Sequence, residues 1–120
     1  MTTSMRLRPS REVRAVFREG SAARGSTASV RALRREDRAG RPPRWTVSAS
    51  RAVGSAVVRN RAKRRLRAAL RERTLPTGVD VVVVAHPSAV TAPWVTVRHE
   101  LDALTTRALE RTHETAAVRR

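Results

Sequence analysis

The run VDVVVVA at residues 79–85 is the strongest constraint on the fold of this 120-residue chain. β-Branched side chains lose χ1 freedom in a helix, so consecutive valines favour extended backbone. A strand with one wet face would alternate with polar residues, and this run does not. The segment is therefore expected to be a central strand covered on both faces.

The elements around it follow from periodicity. Ser10 is placed to cap a helix over about residues 11–19, with Val13, Val16 and Phe17 at i, i+3 and i+4 and Gly20 as its stop. Residues 26–34 read as a strand with Ala28, Val30 and Ala32 on one face and Ser29, Arg31 and Leu33 on a wetter one. Residues 44–50 read as another, with Trp45, Val47 and Ala49 on its buried side, and these two strands are expected to pair antiparallel across an exposed connection. From about Gly54 to Arg73 the spacing turns helical: Val58, Ala62, Leu66, Ala69 and Leu70 form a stripe, and Asn60, Lys63, Arg64, Arg67 and Arg71 fall opposite. A helix of that length would be a cationic rod of roughly 30 Å. A last helix is expected to open near a Thr91 cap with Pro93 in its first turn, and to bury Val97, Leu101, Leu104 and Ala108. A chain this long makes one domain, residues 1–120, with ends that fray, the last of them basic at Arg119 and Arg120.

Charge narrows the function. Lys and Arg number 26 against 10 Asp and Glu, a formal net charge of +16. Such a field opposes compaction and is relieved by a polyanion. No apolar run is long enough to span a bilayer and no signal-peptide pattern follows the N-terminus, so the expected partner is nucleic acid and the expected location the cytoplasm. The chain has no Cys, and His86, His99 and His113 lack zinc-like spacing. Its only aromatic residues are Phe17, Trp45 and Trp94, so binding is expected to rest on charge and hydrogen bonding more than on base stacking.

Between Arg59 and Arg73 eight basic residues stand against one acid, Glu72. Like charges at i, i+3 and i+4 repel, and a merely solvated helix would intersperse Glu, so the block points to an anionic surface. Asn60 can both donate and accept, which lets it address a base edge or a ribose hydroxyl; by spacing alone it could equally bond its own helix backbone.

The stretch VSASRAVGSAVVRNRAKRRLR, residues 47–67, resembles the signature of the bacterial ribonuclease P protein component: Arg-Asn-Arg, then a Lys-Arg pair and a further Arg. RLRPSREVRAVFREG and GVDVVVVAHPSA are similar to the family's N-terminal pattern and its Asp-containing strand, so the resemblance runs from about residue 6 to residue 110. It implies a small two-layer α+β domain ordered helix, strand, strand, basic helix, strand, helix. It also implies a left-handed β-α-β crossover that carries the basic helix, a ribosomal-protein-like fold. Its residues imply that Arg59, Asn60, Arg61, Lys63, Arg64 and Arg67 face a catalytic RNA subunit. They imply further that Phe17, Val13, Arg31, Ser48, Ser50 and Arg51 hold the single-stranded 5′ leader of precursor tRNA. Arg59 lies nearer the apolar edge by periodicity and could point into the adjacent cleft. Where the family often has Phe and Tyr this chain has Val13 and Arg31, and Ala52 stands for a common Lys, which shifts leader binding toward guanidinium contacts.

His86, Asp80, Glu100 and Asp102 form no pattern with a nucleophile or a metal, so they read as structural or solvated and no catalytic residue is assigned. The resemblance places catalysis in the RNA, as Mg²⁺-assisted hydrolysis that leaves a 5′-phosphate on mature tRNA. Mg²⁺ would be held mainly by RNA subunit and substrate and not tightly by the protein. The main alternative is a structural protein that binds ribosomal RNA. A module that reads double-stranded DNA is disfavoured because the basic segment lacks a turn-linked second helix.

Overall fold

The computed structural model describes residues 5–7 and 10–118. In chain order the elements are β1 (Met5–Arg6), α1 (Ser10–Glu19), β2 (Ser21–Arg24), β3 (Ala28–Arg34), β4 (Arg44–Ala49), α2 (Ala56–Arg71), β5 (Val79–Ala85) and α3 (Trp94–Val118). The strands form one mixed sheet in the order β1-β4-β5-β3-β2. The valine strand β5 is at its centre, antiparallel to β3 and parallel to β4. α2 thus crosses between two adjacent parallel strands, which is the α+β arrangement expected.

The expected antiparallel pairing of β3 with β4 does not occur, because β5 lies between them. An all-valine strand has two backbone edges to satisfy as well as two faces, and β3 and β4 each take one. Two short strands were absent from the sequence reading. β2 has no β-branched or aromatic residue, and it pairs with β3 through a tight turn closed by the Gly25 amide on the Ala28 carbonyl, 2.9 Å. β1 is two residues long and pairs with the start of β4.

One sheet face carries the main core. Ala28, Val30 and Ala32 of β3, Val47 of β4 and Val79, Val81, Val83 and Ala85 of β5 meet Ala62, Leu66, Ala69 and Leu70 of α2 and Val97, Leu101, Leu104 and Ala108 of α3, all buried. Both helical stripes expected from the sequence are therefore the buried ones. α2 begins at Ser55, whose Oγ accepts from the Val58 amide at 3.4 Å, directly after Gly54 at φ +145. Its 16 residues give about 24 Å of rod, shorter than expected. Thr91 does not cap α3; its amide donates to Ser88 in the preceding turn, and the first helical bond, from Val97, is accepted by Pro93. The basic end expected to fray at Arg119 and Arg120 lies outside the described residues.

The opposite sheet face is covered at one end only. Leu7, Ala15, Val16, Leu33 and Val82 form a second small cluster that seats α1. Beside it Asp80, fully buried, accepts from Arg44 Nε and Nη2 at 2.8 and 2.7 Å. Arg44 is also paired with Glu12 of α1, and Arg35 reaches Asp80 at 3.8 Å. Asp80 is structural, as expected, and its network ties α1 to the two parallel strands.

The turn between β2 and β3 is held against α3 by Glu100, which accepts from the Thr27 amide at 2.6 Å and from Ser26 Oγ at 2.7 Å, as well as from the Thr27 hydroxyl. A Cβ at Gly25 would lie 2.8 Å from that carboxylate, so only Gly lets the turn approach so closely. Partial burial raises the Glu100 pKa, but the Thr27 and Ser26 hydrogen bonds outweigh it and hold the group at about 2, against 4.5 for a free side chain. Its stabilising effect is complete above pH 4.5 and is lost as pH falls toward 2. Allowing for solvent screening, about 1–2 kcal/mol should go in that window. Urea midpoints measured from pH 5 to pH 2.5 should fall more steeply for the wild type than for Glu100→Gln, and parallel curves would contradict the assignment.

Candidate nucleic-acid interface

α2 presents three rows outside its buried stripe. Arg59, Lys63 and Arg67 recur every fourth residue and are half-buried along one flank; Asn60 and Arg64 stand exposed on the crest; Arg61 and Arg65 lie on the flank toward α3. Arg59 is half-buried on the first flank, consistent with its place nearer the apolar edge. Among the described residues the side chains of Arg59, Asn60, Arg61, Lys63, Arg64 and Arg67 have no hydrogen-bond or ion-pair partner. Asn60 therefore does not bond its own helix backbone, and both its amide groups face solvent.

The neighbouring arginines are engaged within the fold. Arg65 donates to the carbonyls of Ala89 and Ala92, both at 2.6 Å. The Arg71 guanidinium lies over the Trp45 ring, 5.8 Å from its centre. Arg73 donates to the Asp102 carbonyl at 3.0 Å and to Thr106 Oγ1 at 2.9 Å, and Arg98 pairs with Glu72 at 2.8 Å. Six residues that the fold leaves uncommitted, five cations and one amide on a single helix, make a surface able to take several phosphates and one polar base or sugar edge.

The second group lies on the other side of the sheet. Beyond α1 the cross-strand row Ser29–Val84–Ser48 reaches the surface, whereas in the row Arg31–Val82–Thr46 only the outer two residues do, Val82 being buried in the cluster that seats α1. Phe17 is 41% exposed at the rim of this cleft, which sets aside the reading of a lone helical aromatic as core. Arg31 lies over the Phe17 ring at 4.9 Å and donates to the Phe17 carbonyl at 3.3 Å, so one guanidinium fixes the aromatic and keeps a charge in the cleft. Val13 is partly buried against the α1 cluster, with Val84 at the same margin. Ser48, Ser50 and Arg51 are exposed where β4 ends and a single 3-10 turn, Arg51–Val53, leads into α2. That turn links the two groups along the chain.

The cleft contains a pair that the sequence reading did not join: Ser29 Oγ is 2.9 Å from His86 Nε2. The alternation that set Ser29 on the wet face of β3 was visible, but that β5 lay beside it was not. No helix among the described residues is long and apolar enough to cross a membrane, and no group of three or more His, Cys, Asp or Glu among them could hold a metal ion.

A family model described as Ribonuclease P matches residues 1–109. A ribonuclease P protein component from Symbiobacterium thermophilum is 36% identical over 110 residues, spanning 90% of this chain and 94% of that one. Among solved structures, the RNase P protein from Thermotoga maritima superposes with a TM-score of 0.68 at 26% identity, over 82% of this chain and 94% of that one. The Staphylococcus aureus RNase P protein gives a TM-score of 0.74 at 18% identity, over 88% and 96%, a likeness of fold.

Proposed function

Because the chain belongs to the ribonuclease P protein family, we propose that it binds a catalytic RNA through α2 and the 5′ leader of precursor tRNA through the cleft between α1 and the sheet. One observation carries the reading: the six α2 residues of the Arg-Asn-Arg signature are those without an internal partner, while Arg65, Arg71 and Arg73, outside it, are bound within the fold. A surface held uncommitted at the cost of like-charge repulsion is a surface kept for an anion. The alternative of a ribosomal protein loses its support, since the family accounts for the charge, the signature and the fold together.

The leader would enter as a single strand across Phe17 and Arg31 and pass Ser48 toward Arg51. Phe17 offers one ring face or edge to a base, and Arg31, Arg51 and the serine hydroxyls offer donors to phosphates and sugars. The protein's share is binding and alignment. Its buried acid Asp80 and its tightly bonded acid Glu100 are already engaged, so Mg²⁺ would sit with RNA and substrate, where it would lower the pKa of the attacking water. The assembly would work in the cytoplasm.

Precursor tRNA should therefore bind the assembled enzyme more tightly than mature tRNA. With about three leader phosphates neutralised, the leader-dependent part of log K should fall with log[salt] with a slope of roughly 2, at ~0.7 per phosphate. Arg31→Ala should reduce both this slope and the preference for precursor. Titrating precursors with progressively shorter leaders at fixed free Mg²⁺ tests this. A preference that survives removal of the whole leader would overturn the cleft's role.

A further inference from the structure

Trp94 opens α3 and remains 39% exposed, an unusual position for the largest apolar side chain in a protein with only three aromatics. It stands across a shallow depression of about 480 Å³ from Arg61, Arg64, Arg65 and Ala68 of α2. These four positions, i, i+3, i+4 and i+7, are one face of the helix. Their roles differ. Ala68 leaves the floor open. Arg65 lies 6.0 Å from the centre of the indole ring and is pinned by the carbonyls of Ala89 and Ala92, so it holds the turn that leads into Trp94. Arg61 and Arg64 are exposed and have no partner among the described residues.

We propose that Trp94 is a stacking platform for one unpaired nucleobase of the catalytic RNA, with Arg61 and Arg64 on the phosphates flanking that base. The inference rests on the assignment of α2 to the RNA subunit and adds to it a specific aromatic contact. Three features select a nucleotide as occupant. An indole ring restrained on one side by a backbone-anchored arginine loses little freedom when a planar base stacks on its open side. Two free guanidiniums border the face and no acid lines the depression, so the site complements an anion joined to an aromatic ring. The depression is also continuous with the α2 crest, so a strand lying along Asn60 and Arg64 would bring its next unpaired base to the indole. Stacking here would be a local exception to a surface that otherwise binds by charge.

The test measures affinity for the RNA subunit over a range of salt, with wild type, Trp94→Phe, Trp94→Ala and Arg61→Ala/Arg64→Ala. Stacking is typically worth about 1–3 kcal/mol per base, so Trp94→Ala should weaken binding roughly 5- to 150-fold at every salt concentration, leaving the salt slope unchanged. Trp94→Phe should recover most of the loss. Arg61→Ala/Arg64→Ala should instead lower the slope, by roughly 1 for each phosphate. Indole fluorescence should be quenched on RNA binding in the wild type and in Trp45→Phe, where Trp94 is the remaining tryptophan. Full affinity in a folded Trp94→Ala protein, beside a weakened Arg61→Ala/Arg64→Ala, would overturn the platform and leave α2 as the RNA contact. Loss from neither variant would refute the α2 assignment as well.

Discussion

Asp80→Ala should destabilise the protein by about 3–5 kcal/mol, the cost of leaving a buried cation without its partner. Asp80 is fully buried and takes two hydrogen bonds from Arg44, which is itself largely buried and paired with Glu12. Removing the carboxylate leaves Arg44 between α1 and the sheet with only Glu12 to balance it. Set against a typical total of 5–15 kcal/mol, that loss takes much of the stability of a domain this size. Urea denaturation would measure it, and a change below about 1 kcal/mol would show that the network is not what secures α1. Replacing both members, Arg44→Met with Asp80→Leu, should recover part of the loss, because a paired charge is expensive to bury and an apolar pair is not. The double variant separates stability from function. α1 would then be seated by packing alone, and any drop in precursor preference that persists would report on the position of Phe17 over the cleft.

Arg61→Ala/Lys63→Ala/Arg64→Ala should abolish most of the affinity for the RNA subunit while leaving the fold intact. All three side chains lack polar partners, only Lys63 is half-buried, and Ala is the best helix former, so α2 loses repulsion and little packing. At about 1 kcal/mol per exposed ion pair, the top of the range for such pairs, the three together come to about 3 kcal/mol, or roughly 150-fold in affinity. The slope of log K against log[salt] should fall by about 2–3. Arg71→Ala, which removes a guanidinium already lying over Trp45, should do much less. Equal losses from the triple variant and from Arg71→Ala would mean that α2 acts only as diffuse charge.

The readable parts of this protein were those set by a strong local period. The buried stripes of α2 and α3 follow from 3.6-residue spacing, and β5 follows from its valines. The expectation that failed was which strands are neighbours, since β3 and β4 were expected to pair and β5 lies between them. That depends on contacts between distant segments, and a nine-residue connection between β3 and β4 looks the same whether it joins paired strands or skips over a third. β2 was hidden because Ser-Ala-Ala-Arg has no strand propensity of its own and is held by its hairpin with β3. The site divided in the same way. The α2 residues were legible because motif and helical spacing coincide there, whereas their lack of internal partners emerged only when Arg65, Arg71 and Arg73 were seen to be bound elsewhere. The stacking of Arg31 on Phe17 joins two elements separated by β2, and no local pattern announces it.

On the proposed reading an uncommitted α2 surface joins this protein to a catalytic RNA. Reconstituted with the RNA subunit at low Mg²⁺, the wild-type protein should restore cleavage of precursor tRNA at its mature 5′ end, and Arg61→Ala/Lys63→Ala/Arg64→Ala should do so only at much higher protein concentration, with the same cleavage site. Equal activity of wild type and triple variant across the protein titration would contradict the claim, as would cleavage by the protein with no RNA subunit present.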